Sequence, residues 1–241
     1  MFDSLRFIAK IIIQNFKSYR NWWPYINDKS EIVISSILTQ NTSWRNVLLS
    51  LDNINSFLGS TKLYKLAKLS VDELSYLIKH SGFSKRKAKT IIDVSKFILS
   101  RGGYWRIKCF FEKLSSKSYF MFLNKFREDL LRIKGIGQET ADSILLYSFE
   151  LPSFVIDGYT IRIVNRVCGT NFDKDKDYVL LKDYFERIVF DFTYKTRFSI
   201  SKFVNNLKIL HAGFVEIGKN FCNKSYPRCE GCYLKNRCIY S

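Results

Sequence analysis

Histidine, methionine and proline are scarce in this chain of 241 residues, with two, two and three copies, and glycine is limited to eleven. With only His80 and His211 available, a histidine-based metal centre or catalytic triad has little material. So few prolines and glycines argue against a linker-rich or low-complexity protein. Acids are also in short supply, 22 against 39 Lys and Arg, which leaves a formal charge of +17. Long apolar runs are missing: stretches such as Ile209 to Val215 are too short and too polar-flanked to cross a bilayer, so no membrane partner is expected. The opening segment, Met1 to Ile13, has no basic region before its apolar run and no small-residue cleavage site after it. It reads as the first helix of a mature, cytoplasmic protein, a compartment in which thiols stay reduced.

What remains suits a helical protein. A hydrophobic share of 46% is enough for one large or two small domains. Asp28 with Glu31, and Ser70 with Glu73, have the spacing of capping boxes ahead of apolar runs. Asn41 or Thr42 is expected to cap the next helix, on which Val47, Leu48 and Leu51 recur at helical spacing. Ser84 opens a basic helix, and further helices are expected over 119–132, 138–149, 160–168, 176–191 and 201–219. Strand-like alternation is scarce and no repeat is evident. The expected fold class is all-α.

The positive charge is not spread evenly. Ser84 to Lys108 holds eight basic residues and one acid, Asp93. Such a field attracts polyanions, nucleic acid being the commonest. The competing explanation is compositional drift, because Lys, Ile, Asn, Tyr and Phe are frequent throughout.

Cys222, Cys229, Cys232 and Cys238 form a C-x6-C-x2-C-x5-C pattern within the last twenty residues. Four thiolates on so short a loop suit one compact centre, either a [4Fe–4S] cluster or a tetrahedral zinc. Structural zinc usually takes its ligands as two close pairs; only Cys229 and Cys232 are close here, which favours the cluster. Cys109 and Cys168 lie outside the pattern and read as buried thiols.

Two further segments carry chemistry. Gly135-Ile136-Gly137 separates two helices, and glycine there lets main-chain N–H groups approach a phosphate at a helix start. A tight helix–helix turn would use the same residues. Val155-Ile156-Asp157-Gly158 puts an acid just before a new helix, as an N-cap or as a reactive carboxylate.

Taken together in this order, the hairpin, Asp157, His211-Ala212-Gly213, Gly82 to Ala88 and the cysteine loop resemble the endonuclease III superfamily of DNA glycosylases, also called the helix-hairpin-helix-GPD family. The likeness runs from about Glu31 to Cys238. It implies a two-lobed fold with the DNA cleft between the lobes: a six-helix barrel over 26–150, with the hairpin at about 125–149, and a second lobe of 1–25 plus 151–241 bearing the cluster loop, 222–238. It also implies a monomeric enzyme of base excision repair that binds double-stranded DNA containing a damaged base. Asp157 matches the catalytic aspartate. Glu139 stands where strand-nicking relatives carry a lysine, which implies a monofunctional glycosylase without lyase activity. DNA contacts fall on Gly135, Gly137, Gln138, Gln40, Phe83, Lys85 and Lys87, with Gln40 filling the space of the extruded base and Phe83 wedging the opposite strand. Phe83 also has a plain alternative as a core aromatic. Trp22-Trp23-Pro24 and Leu38-Thr39-Gln40-Asn41-Thr42 look like the 3-methyladenine DNA glycosylase branch, with Trp22, Trp23 and Trp44 as a base pocket; the plain alternative is that these tryptophans fill a helix interface. The rival expectations are a glycosylase for uracil, mismatched thymine or oxidised bases, and a non-catalytic helix-hairpin-helix DNA-binding module.

Overall fold

The computed structural model describes residues 2–23, 26, 28–196 and 198–240. Pro24 of the Trp-Trp-Pro pattern lies outside them. Among the described residues every regular element is helical, as expected of an all-α chain. The α-helices are α1 (Phe2–Asn15), α2 (Lys29–Leu38), α3 (Trp44–Leu58), α4 (Leu63–Leu66), α5 (Val71–Leu77), α6 (Ser84–Ser100), α7 (Gly103–Glu112), α8 (Ser116–Leu131), α9 (Gln138–Ser143), α10 (Gly158–Cys168), α11 (Tyr178–Tyr194) and α12 (Ile200–Asn220). A single wide turn of π-helix, Ile144–Ser148, extends α9. No described helix is long and apolar enough to cross a membrane. The chain divides into two compact units, one of residues 26–149, the other of residues 1–25 with 150–241.

The unit of residues 26–149 is organised on α2. Every residue from Ile32 to Leu38 is buried, so the helix beyond its first turn has no solvent face. Ser35 and Ser36 fit such a setting because their hydroxyls donate to the Ile32 carbonyl, at 3.2 and 2.7 Å. Helices α3, α6 and α9 pack around it. Each fully buried Ile or Leu here contributes about 1.5–3 kcal/mol. Caps set the boundaries. Ser70 and Glu73 form the complete capping box at α5, and Asp28 accepts from the Ser30 and Glu31 amides at α2. The cap of α3 is Ser43 rather than Asn41 or Thr42. Asn41 takes a left-handed turn, φ 50°, and this leaves Ser43 with the extended backbone that a cap requires. Helix α7 was not expected from the sequence; its buried Ile107 and Phe111 are four residues apart, one helical turn.

In the other unit α1 buries Leu5, Ile8 and Ile12 on one stripe, and α12, with a long buried face, packs against α1, α10 and α11. Phe154, Phe185 and Phe214 form a buried aromatic triad with ring centroids 5.2–6.4 Å apart. That triad backs the segment leading into Asp157.

Candidate active site and nucleic-acid interface

The hairpin joins α8 to α9. Arg127 on α8 makes a forked ion pair with the buried Asp142 on α9, at 2.7 and 2.8 Å, and also donates to the Gln138 side chain at 3.4 Å. The two helices are thereby locked with the connecting loop at one end. Gly135 has φ +95°, a conformation that favours glycine, and a Cβ there would lie 2.2 Å from Thr90 Oγ1. Gly137 is different. Its φ of −95° is open to any residue, and a Cβ would meet nothing within 4 Å. Only Gly135 therefore needs to be glycine for the backbone; Gly137 leaves open space beside the start of α9. Glu139 sits in the first turn of α9 and accepts the Ser143 hydroxyl on its carbonyl at 2.7 Å.

Gln40 belongs to the same constellation. Its side-chain amide donates to the Gly135 carbonyl and to Thr140 Oγ1, both at 3.0 Å. Phe83 is 62% exposed, which rules out the core alternative, and holds a left-handed backbone, φ 48°, immediately before α6. A β-carbon residue in that region carries strain of about 1–3 kcal/mol, a cost found mostly at working sites. The Arg86 guanidinium lies over its ring at 4.7 Å. Lys85 is exposed and faces Asp72 at 3.4 Å. Lys87 does not fit the expected DNA contact. It is 1% exposed, and its ammonium donates to the Leu38 and Ser81 carbonyls at 2.8 and 2.6 Å. Burial, and next to it the Arg86 charge, push its pKa from 10.5 to about 8. The reason is helical phase: Lys87, Ile91, Val94 and Ile98 share the buried stripe of α6.

Asp157 lies in the other unit. It caps α10, accepting from the Thr160 amide at 2.7 Å and the Thr160 hydroxyl at 2.8 Å on one carboxylate oxygen. The other oxygen faces His211 Nε2 at 3.6 Å. The residue is 8% exposed. Burial pushes the carboxyl upward, but His211 and the two Thr160 donors outweigh it and hold it below its ordinary 3.8. His211 also packs nearly perpendicular to Trp22, ring centroids 5.8 Å apart, and Trp22 meets Trp23 at 6.5 Å. Trp22, His211 and Asp157 thus form a contiguous set. Trp44 is the first residue of α3, in the unit of residues 26–149.

The four loop cysteines line one cavity together with Ile163, Val167, Phe221 and Leu234. Arg166 on α10 donates to Cys222 Sγ at 3.3 Å and to the Asn223 and Lys224 carbonyls at 2.6 and 2.8 Å. Arg162 donates to the Cys222 carbonyl at 2.8 Å. Among the described residues no three His, Cys, Asp or Glu side chains converge as they would on a single ion. Cys168 ends α10 half-buried, whereas Cys109 on α7 is exposed, contrary to the expectation of a buried thiol.

Residues 34–183 match the family described as HhH-GPD superfamily base excision DNA repair protein. The chain belongs to the HhH-GPD superfamily. A protein of Methanocaldococcus jannaschii provisionally named a DNA repair glycosylase is 34% identical over 238 residues, 99% of this chain and 97% of that protein. Endonuclease III of Sulfolobus acidocaldarius is 26% identical over 210 residues, 86% of this chain and 80% of the relative. Among solved structures, the 3-methyladenine DNA glycosylase of H. pylori bound to 1,N6-ethenoadenine aligns with a TM-score of 0.66 and 26% identity, covering 89% of this chain and 96% of that one.

Three partners in this HhH-GPD chain escaped sequence reasoning: Thr160, Thr90 and Arg166. Thr160 had a signal, because an acid three residues before a threonine at a helix start is a capping arrangement. Thr90 had none, since its bond to the Lys134 carbonyl, at 3.0 Å, spans 44 residues. Arg166 is one of many basic residues, distinguished only by the fold.

Proposed function

We propose that this HhH-GPD DNA glycosylase is monofunctional: it extrudes an alkylated purine such as 3-methyladenine from duplex DNA and hydrolyses the N-glycosidic bond through Asp157, leaving the strand intact. The observation that carries the reading is a buried carboxylate kept ionised by a helix start, Thr160 and His211. Cleaving the bond builds positive charge on the deoxyribose, and a fixed anion stabilises it by a margin that mutagenesis elsewhere puts at about 3–4 kcal/mol per group. The same carboxylate can orient the attacking water. A Schiff base needs an amine, and Glu139 at the family lysine position has none.

Substrate choice follows from chemistry beside the acid. Trp22, against His211, offers an aromatic face on which a cationic methylated base stacks more strongly than a neutral one, by about 0.5–2 kcal/mol. The likeness to the H. pylori 3-methyladenine enzyme supports this assignment. DNA would be held by the hairpin through phosphate, with Gly137 leaving room for the backbone to approach. Phe83 enters the opposite strand and Gln40 the vacated space.

The C-terminal loop, in the same reading, holds a [4Fe–4S] cluster on Cys222, Cys229, Cys232 and Cys238. Support comes from the cavity that the four thiols share and from the Arg166 donor aimed at one sulfur, which suits an anionic ligand set. A bound cluster would cross-link the loop to itself within a cavity lined by Ile163 and Val167 of α10 and Ile217 of α12, coupling ligation to local folding. Arg162 and Arg166 fix the first ligand.

One experiment tests the assignment. Purified protein is incubated with methylated, ethenoadenine, G·U, G·T and 8-oxoguanine duplexes, and strand breaks are scored with and without alkali. Alkali-dependent breaks on methylated or ethenoadenine DNA alone are expected. Breaks without alkali, or release only from G·U, G·T or 8-oxoguanine, overturn the reading; no release from any duplex with retained affinity favours a binding module. Metal analysis should find about four irons with acid-labile sulfide per chain rather than one zinc.

A further inference from the structure

Lys87 is costly where it stands. An ammonium on the buried stripe of α6 replaces the aliphatic side chain that Ile91, Val94 and Ile98 would otherwise continue. Its bonds explain what it gains. Leu38 ends α2, where carbonyls have no partner within the helix, and Leu38 is two residues before Gln40. Ser81 is two residues before Phe83. One flexible arm therefore reaches both chain segments that carry the side chains assigned to the duplex. A positive charge at the end of α2 is also favoured by the helix dipole.

We propose that Lys87 is a positioning residue that clamps the Gln40 turn and the Phe83 turn into one preset arrangement for entering DNA. This role presupposes that Gln40 and Phe83 do enter the duplex, as proposed above. The clamp matters because insertion competes with base stacking. A displacement of about 1 Å in either segment is enough to lose on the order of a hundredfold in a rate that depends on it. No phosphate or base need touch Lys87 for its loss to be felt.

The test uses 2-aminopurine placed opposite a tetrahydrofuran abasic analogue in a duplex, a probe whose fluorescence rises when inserted side chains unstack it. The full chain is compared with K87M, K87Q, F83A and Q40A, alongside anisotropy binding to undamaged duplex and thermal melting. Wild type should give a large rise, and F83A and Q40A a small one. K87M should lose more than about half of the rise while its affinity for undamaged duplex stays within about threefold, since phosphate contacts are untouched. K87Q, which keeps one donor arm without the charge, should fall between, and it carries the same test if K87M does not melt cooperatively. Full fluorescence in folded K87M or K87Q, with loss in F83A and Q40A, overturns the clamp and leaves the insertion reading standing. Undiminished fluorescence in F83A and Q40A overturns the insertion reading, and the clamp falls with it. A merely structural role for Lys87 would lower affinity for the undamaged duplex along with the fluorescence rise, and that result also overturns the proposal.

Discussion

Replacing Gly135 with alanine should destabilise the protein, whereas the same change two residues later should not. At φ +95° an alanine carries about 1–2 kcal/mol of backbone strain. Its Cβ would also lie 2.2 Å from Thr90 Oγ1, so Thr90 must move and its bond to the Lys134 carbonyl is lost, a further cost of about 0.5–1.5 kcal/mol. For G135A the expected loss is about 2–3 kcal/mol, which lowers the melting midpoint of a chain this size by about 5–10 °C. The clash is with one side chain, so it can be isolated in a double-mutant cycle. In a T90A background G135A should cost about 1 kcal/mol less, because the displaced hydroxyl is already gone. G137A meets no atom within 4 Å and has an ordinary backbone, so its midpoint should stay near wild type. Its methyl fills the space assigned to DNA, and duplex affinity should drop several-fold. Melting followed by circular dichroism and binding by anisotropy give both readouts. Additive G135A and T90A effects would refute the packing argument. A G137A protein as unstable as G135A would refute the division of labour between the two glycines.

F83G should raise stability slightly, by about 0.5–1 kcal/mol, because it relieves a left-handed β-carbon residue that is exposed, while lowering base release; unchanged stability would remove the argument from strain. R166A should lose iron on dialysis and melt earlier, since three donor contacts to the loop disappear; an unchanged iron-to-protein ratio would show that the arginine does not support the cysteines. E139K places an amine on the first turn of α9, and borohydride should then trap a covalent DNA adduct that wild type does not form; trapping by wild type would end the monofunctional reading. Because Asp157 titrates below 3.8 when folded, its contribution to stability is present at neutral pH and is lost as pH falls through that depressed value. The acid side of a melting-midpoint profile should therefore be shallower in D157N, which has no carboxylate to protonate.

Much of the fold was legible because it rests on local rules. Ser70 and Glu73 have capping-box spacing and form the complete box, whereas Asp28 and Glu31, at the same spacing, give only the Asp28 cap, with Glu31 accepting instead from Asn55. Helix α6 was legible in extent but not in detail. Four of its first six residues are basic, and the family resemblance assigned Lys87 to DNA along with Lys85. The periodicity that links 87 to 91, 94 and 98 pointed inward, and it was the better guide. Helix α7 was hidden because Gly102 and Gly103 look like a break, whereas their left-handed angles turn the chain directly into a new helix. The two hairpin glycines look equivalent in sequence, and only the distant Thr90 distinguishes them. At Asp157 the capping role was visible in the sequence. The charge environment was not, since His211 lies 54 residues further along (211 − 157) and meets the acid only through the packing of α12.

The most direct measurement compares wild type with D157N on duplex DNA methylated by dimethyl sulfate, following base release and binding in parallel. Asparagine caps a helix as well as aspartate does, so the fold and duplex affinity should persist, affinity within about threefold. Base release should fall by at least about a hundredfold, because the anion beside the sugar is gone. D157N protein that binds normally and still releases methylated bases at close to the wild-type rate would contradict the account.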